Sequence, residues 1–259
     1  SFWPASLHVI GKDILRFHAI YWPAFLLAAN IEPPKRVFGH GWILSGDEKM
    51  SKSKGNILNP VEIINNYGID QIRYYLMKEV SHGSDGNISL KSLENCINSD
   101  LANNYGNLCQ RIFSFIKSNC NNLVKKEGNI SKSDKKLIEQ TQNLTKDLRA
   151  QIEDQNLNNY IKSVINISFL TNKYINDEEP WKLKKNDIKK MNNILHLALE
   201  QIAKISILLN PIIPIATNKV LEALNIKTEQ RNNSFLDGKS IFPDTIKISE
   251  LNILFKKIN

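Results

Sequence analysis

The stretch Lys49-Met50-Ser51-Lys52-Ser53-Lys54-Gly55-Asn56 places three lysines within six positions, separated by one methionine and two serines. Charges at that spacing cannot share a hydrophobic face, so the segment must be a solvated loop. The small residues let backbone N–H groups approach an anion, and Gly55 permits the turn that leaves the loop. Lysine supplies point charges, while serine hydroxyls and amides supply directed hydrogen bonds. The phosphates of a nucleotide suit that combination. A generic cluster of lysines is more often a plain basic turn. What separates this loop from that default is its full ordered string.

The loop needs elements to carry it. Val9-Ile10-Gly11 reads as a short buried strand end, followed by a helix from about Asp13. On that helix Ile14, Leu15, His18, Tyr21, Trp22, Phe25 and Leu26 recur at helical spacing, and Pro23 should kink it. A second apolar strand at Val37-Phe38 leads through Gly39-His40-Gly41 to Trp42-Ile43-Leu44, and a Gly46-Asp47 turn delivers the chain to the loop. Strand, helix and strand in that order suggest the last part of a parallel α/β domain. Beyond the loop, Asn59-Pro60-Val61-Glu62 supplies an N-cap, Pro at N1 and Glu at N3 for a short helix that Gly68 should end. Asp70 begins another.

From about Ser89 to Leu209 the pattern is almost wholly helical. One apolar stripe comprises Leu93, Ile97, Leu101, Tyr105, Leu108, Ile112 and Phe115; a second comprises Leu157, Ile161, Val164, Ile167 and Tyr174. A third holds Met191, Ile194, Ala198, Ile202 and Ile205. Short loops between them predict an antiparallel bundle. The tail from about Lys227 has scattered Gly and Pro and reads as irregular or extended. The expected division is 1–95 for the α/β part and 96–259 for the helical part.

Bulk properties set bounds. The 259 residues are 42% hydrophobic and 23% charged, ordinary for a soluble globular chain, and no apolar run is long enough to predict a membrane span. A net charge of +8 suggests a polyanionic partner, discounted for a visible Asn, Lys and Ile bias in composition. Cys96, Cys109 and Cys120 include no Cys-x-x-Cys pair and fit reduced thiols of a cytoplasmic protein, with no metal site.

The eight-residue loop resembles the KMSKS signature of class I aminoacyl-tRNA synthetases. The segment before it, His8-Val9-Ile10-Gly11-Lys12-Asp13-Ile14 and Phe17-His18-Ala19-Ile20-Tyr21-Trp22-Pro23-Ala24, is similar to the methionyl-tRNA synthetase family. The resemblance implies Gly11 and Asp13 as ribose contacts, His40 and Ile43 near the adenine, and Lys49, Met50, Ser51, Lys52 and Ser53 on the ATP phosphates. Lys52, assisted by Lys49, is then the catalytic group that stabilises pyrophosphate. The family's methionine pocket uses a His and a Trp four residues apart, here His18 and Trp22. Helical spacing independently puts that pair on one face, and an aromatic wall suits a thioether. Read alone, a core histidine and a packed tryptophan are commoner.

In the same family the bundle reads the CAU anticodon with an Asn and an Arg four apart and with an aromatic after a proline. Asn107 and Arg111 match the first, and Pro180-Trp181 the second. Asn107 and Arg111 flank the apolar stripe, where an amide can bond a base edge and a guanidinium can bond or stack on an unpaired base. Trp181 offers a stacking surface, and Lys182, Lys184 and Lys185 follow to hold phosphate. The implied reaction is ATP-dependent activation of methionine and its transfer to tRNA(Met), with Mg2+ accompanying ATP as substrate. The family's His-x-Gly-His motif, acceptor-stem domain and metal knuckle are absent and should lie upstream of Ser1, so the chain reads as the later part of an enzyme, inactive by itself. It also ends without the dimerisation domain some members append, and a monomer is expected. The competing readings are another class I synthetase, of the leucine, valine or cysteine type, and a non-catalytic tRNA-binding module.

Overall fold

The computed structural model describes residues 2–45, 48–50, 58–81, 83–237 and 239–258, with the side chains of residues 48, 49 and 237 outside that description. The expected strand–helix–strand run is present. Strand β1 (His8–Gly11) pairs in parallel with β2 (Val37–His40), in register from His8 opposite Val37 to Gly11 opposite His40. The crossover between them begins with a 3₁₀ turn at Lys12–Ile14, widens into a π-helical stretch at Phe17–Tyr21 and closes as α1 (Trp22–Ala28). The irregularity sits where proline chemistry puts it. Pro23 has no N–H to donate and its ring crowds the carbonyl one turn back, and the helix is wound wider there.

One expectation is corrected: β1 is not buried. Val9 is 58% exposed, and no described residue from 2 to 40 is buried. Phe17, Ile20, Phe25 and Leu27 lie open beside it, uncovered by the described residues.

A second small sheet carries the loop. Its middle strand β3 (Ile43–Ser45) pairs antiparallel with β4 (Glu48–Lys49) and in parallel with β5 (Gly86–Ile88). Gly41, just before β3, must be glycine, because an added Cβ would lie 2.0 Å from the Ser84 carbonyl oxygen. After the loop, α2 (Pro60–Tyr67) starts as its sequence predicts. The Asn59 side-chain oxygen accepts from the Val61 N–H at 3.1 Å, and its amide donates to Glu62 at 2.9 Å. Gly68, at φ +94°, ends α2 in a conformation an L side chain rarely adopts, and α3 (Ile69–Glu79) follows at once.

The helical part begins with one continuous run: α4 (Leu90–Cys96), a π-helical stretch over Ile97–Gly106 and α5 (Asn107–Asn119). Then come α6 (Lys132–Thr145), α7 (Leu148–Glu153), α8 (Leu157–Glu178), α9 (Pro180–Leu183), α10 (Ile188–Leu209) and α11 (Pro214–Ala223). The three predicted stripes build the core, save that Phe115 and Leu157 are only half-buried. α10 has apolar residues nearly all round and forms the centre of the bundle. β6 (Leu123–Lys125), unforeseen within the helical region, pairs antiparallel with β7 (Thr245–Lys247) of the tail expected to be irregular or extended, and ties that tail back onto the bundle.

Polar contacts fasten α3 to the helical part. The Asp70 carboxylate accepts from the Ala216 N–H at 2.7 Å, and Arg73 donates to the carbonyls of Pro211 and Ile212 at 2.7 and 2.8 Å. Tyr74 donates to Asp100 at 2.8 Å, and the Lys78 ammonium lies 2.9 Å from the same carboxylate. Burial alone would lower the Lys78 pKa, but its bonds to Asp100 and Glu79 outweigh that and hold it above the ordinary lysine range. A raised lysine pKa contributes stability below the unfolded value and loses it only as pH rises through the folded one, so the tie is intact throughout the neutral range.

Burial also sets the thiol chemistry. It pushes Cys96 up to about 12 and Cys109 higher still, whereas Cys120 is only half-buried and less perturbed. A disulfide reagent at mildly alkaline pH should therefore modify Cys120 in the native protein, and Cys96 and Cys109 only after denaturant is added. Rapid native modification of all three thiols would contradict this packing.

Candidate functional site

The lysine loop is held at both ends. On the entering side β4 hydrogen-bonds to β3, with Leu44 opposite Lys49. Met50 then turns inward and lines an apolar cavity of about 130 Å³ with Leu58, Ile63, Tyr75 and Leu93. The side chain of Lys49, and Ser51, Lys52 and Ser53 entirely, lie outside the described residues. Their flanks are fixed by a strand pair and by the capped start of α2.

The Gly11, Asp13, His40 and Ile43 candidates come together from two sheets. β1 and β2 run side by side, so that Gly11 faces His40 across the register. Gly11 is close enough to Asp13 that an added Cβ would lie 2.6 Å from the Asp13 carboxylate. His40 Nδ1 lies 2.9 Å from the Gly41 carbonyl oxygen. His40 and Ile43 line a cavity of about 160 Å³ whose far wall is Leu76, Met77 and Val80 of α3 and its end. The 3₁₀ turn is anchored by an ion pair that sequence reading missed: Lys12 Nζ lies 2.5 Å from Asp85, which also accepts from the Trp42 N–H at 2.8 Å. The Lys12 ammonium, then the Trp42 amide, holds the Asp85 carboxyl below the usual range. Its contribution is present above the ordinary carboxylate pKa and lost as pH falls through the lowered one.

His18 and Trp22 do share a face, with ring centroids 5.7 Å apart in an edge-to-face arrangement. His18 Nδ1 lies 3.0 Å from the Ile14 carbonyl oxygen, which orients the ring along the helix. Two further residues complete an aromatic cluster. His8 of β1 stacks on Trp22 at 4.8 Å with an interplanar angle of 12°, and Trp3 packs 5.8 Å from Trp22. Neither has a periodic relation to Trp22 in sequence, so only the pairing of strand and helix could reveal them. The cluster is half-buried and offers an aromatic wall to an apolar ligand.

The third set also converges. Asn107 stands exposed at the start of α5, and Arg111 is one turn further along the same face. The Arg111 guanidinium lies 5.8 Å from the centre of the Trp181 ring and donates to the Asn176 amide oxygen at 2.7 Å. Pro180 is buried at the start of α9, and Glu179 before it adopts a left-handed conformation, φ 47° and ψ 57°, that swings the chain back toward α5. Trp181 is 38% exposed and does not belong to the core. Asn176 is the participant that spacing did not disclose. Among the described residues no group of three or more His, Cys, Asp and Glu side chains is placed to hold a metal ion, and no helix is long and apolar enough to cross a membrane.

Comparison with known proteins agrees along the chain. Residues 1–113 match the model of class I (M) tRNA synthetases, and residues 124–259 match the anticodon binding domain of methionyl tRNA ligase. Methionine–tRNA ligase of Brucella suis is 41% identical over 231 residues, covering 89% of this chain and 45% of its own length. That of Rickettsia typhi is 40% identical over 261 residues, covering 100% of this chain and 52% of its own. The structure of Mycobacterium tuberculosis methionyl-tRNA synthetase bound by methionyl-adenylate superposes with a TM-score of 0.92 at 35% identity, over 98% of this chain and 50% of that one. The chain spans about half the length of the curated relatives it matches, and it belongs to the methionyl-tRNA synthetase family of class I aminoacyl-tRNA synthetases.

Proposed function

We propose that this chain supplies the phosphate-binding loop, part of the methionine pocket and the anticodon reader of a methionine–tRNA ligase. In that enzyme methionine and ATP, accompanied by Mg2+, form methionyl-adenylate and pyrophosphate, and the methionyl group then passes to tRNA(Met). Residues 1–95 serve catalysis and residues 96–259 serve anticodon recognition. The observation that carries the reading is the Arg111 guanidinium over the Trp181 ring, from positions 70 residues apart in sequence, with exposed Asn107 one helical turn before Arg111.

The roles follow from chemistry already described. Gly11 and Asp13 meet the ribose, with His40 and Ile43 at the adenine. Trp22 and His18 receive the methionine side chain, whose polarisable thioether gains from an aromatic wall. Lys52, with Lys49, neutralises charge that grows on the pyrophosphate leaving group, and Met50, Ser51 and Ser53 complete the ATP-binding set. Asn107 and Arg111 bond anticodon bases, and Trp181, held by Pro180, stacks on one. The enzyme works as a cytoplasmic monomer. The open apolar side chains of residues 2–31 belong, in this reading, against the rest of the catalytic domain.

The test is methionine-dependent pyrophosphate exchange. The 259-residue chain by itself should show none, and the same chain extended upstream to the length of its relatives should show it strongly. Robust exchange by the 259-residue chain alone, or none by the extended one, overturns the reading.

A further inference from the structure

Asp85 stands one position before β5 and holds two groups with one oxygen. Its Oδ1 accepts from the Trp42 N–H at 2.8 Å and lies 2.5 Å from the Lys12 ammonium. The same ammonium stands 5.0 Å from the centre of the Trp42 ring, so the three residues form a closed triangle. Backbone contacts fix one side of it. The Gly86 N–H donates to the Trp42 carbonyl at 2.8 Å, and Gly41 approaches Ser84 so closely that no side chain fits between them. Asp85 and Trp42 are therefore held together by more than the carboxylate. What the carboxylate adds is Lys12.

Lys12 belongs to the other side of the site. It lies between Gly11 and Asp13 on the turn that leaves β1, whereas Trp42 leads into β3, whose partner β4 carries the chain to the lysine loop. Among the described residues no ladder joins the β1–β2 sheet to the β4–β3–β5 sheet. The chain passes from the first to the second through Gly41 and Trp42, and the Asp85 side chain bridges back to the turn after β1. Stability does not account for this bridge. Both ends reach solvent, with side-chain exposures of 41% for Lys12 and 36% for Asp85, and an exposed pair adds little to folding. Direction is what a short charge-assisted bond contributes there.

We propose that Asp85 is a positioning residue for ATP: by tying Lys12 to Trp42, it sets the spacing between the Gly11 and Asp13 contacts to the ribose and the lysine loop that holds the phosphates. This role rests on the function proposed above, which places ATP between those contacts.

The test is made in the chain extended upstream to the length of its relatives, by methionine-dependent pyrophosphate exchange with ATP and methionine varied separately. Asp85→Ala should lower kcat/KM for ATP about tenfold, because a small displacement of a substrate contact is costly in rate. The KM for methionine should stay that of the parent enzyme, since other residues, His18 and Trp22, build that pocket. The melting temperature should also match the parent's. Asp85→Asn, which keeps an oxygen for the Trp42 N–H and loses the charge, should fall between the two. Lys12→Met should show the same loss as Asp85→Ala, and the double variant no more than either alone, as two ends of one contact require. Parental ATP kinetics in Asp85→Ala overturn the proposal. So does equal damage to both substrates with a lowered melting temperature, which marks a plain structural role. A Lys12→Met loss well above that of Asp85→Ala, or additive losses, overturns it too, because Lys12 then acts on the nucleotide by itself. A parent enzyme without exchange overturns the proposed function and this role together, whereas an active parent with an unaffected Asp85→Ala overturns this role alone.

Discussion

Lys52→Ala, made in the longer enzyme, should slow methionyl-adenylate formation by about 10²–10³-fold, on the order of 3–4 kcal/mol. The effect should fall on rate, because the contact matters where charge grows on the departing pyrophosphate and not where methionine sits. The geometry separates the two functions. The loop is anchored by the β3–β4 pairing on one side and the capped start of α2 on the other, whereas His18 and Trp22 lie on the helix between β1 and β2. Methionine affinity should therefore change little. Stopped-flow measurement of adenylate formation decides it, and a rate within threefold of wild type rejects the role given to Lys52.

Trp181→Ala should impair charging of tRNA(Met) while leaving adenylate formation nearly intact. Loss of one base–aromatic stack costs about 1–3 kcal/mol. Had Trp181 been a core residue, truncation would cost about 3–5 kcal/mol of stability and expose the bundle to protease. Its 38% exposure and its place outside the packed core favour the first outcome. The variant should melt close to wild type and show a raised KM for tRNA. The Arg111 guanidinium over the Trp181 ring adds a coupled expectation: the two alanine variants should be less than additive, because each removes support for the other. Normal charging, or failure through unfolding alone, contradicts the assignment.

The sequence made the helical part legible because its stripes repeat at a single period over long segments. The stripe residues from Leu93 to Ile112, and those from Met191 to Ile205, all fall in the core. Caps were equally readable, since Asn59, Pro60 and Glu62 form a local grammar that needs no tertiary partner. Burial of β1 was not legible, because an apolar strand looks the same whether or not the residues that cover it belong to the same chain. The Asn107, Arg111 and Trp181 set was found through family resemblance. Its convergence depends on the left-handed Glu179, a backbone state that glutamate does not advertise. His8, Trp3, Asn176 and Asp85 were missed for a common reason: each meets its partner across elements, where spacing carries no information.

The central claim is that the helical part reads the methionine anticodon, and binding of an RNA stem-loop to the 259-residue chain tests it most directly. Fluorescence anisotropy should show a CAU stem-loop bound, with any single substitution in those three bases weakening binding by about 1–3 kcal/mol, a factor of roughly 5 to 150. Arg111→Ala should abolish most of that discrimination, since its guanidinium both flanks Trp181 and is held by Asn176. Equal affinity for CAU and substituted loops, with Arg111→Ala indistinguishable from wild type, would contradict the account.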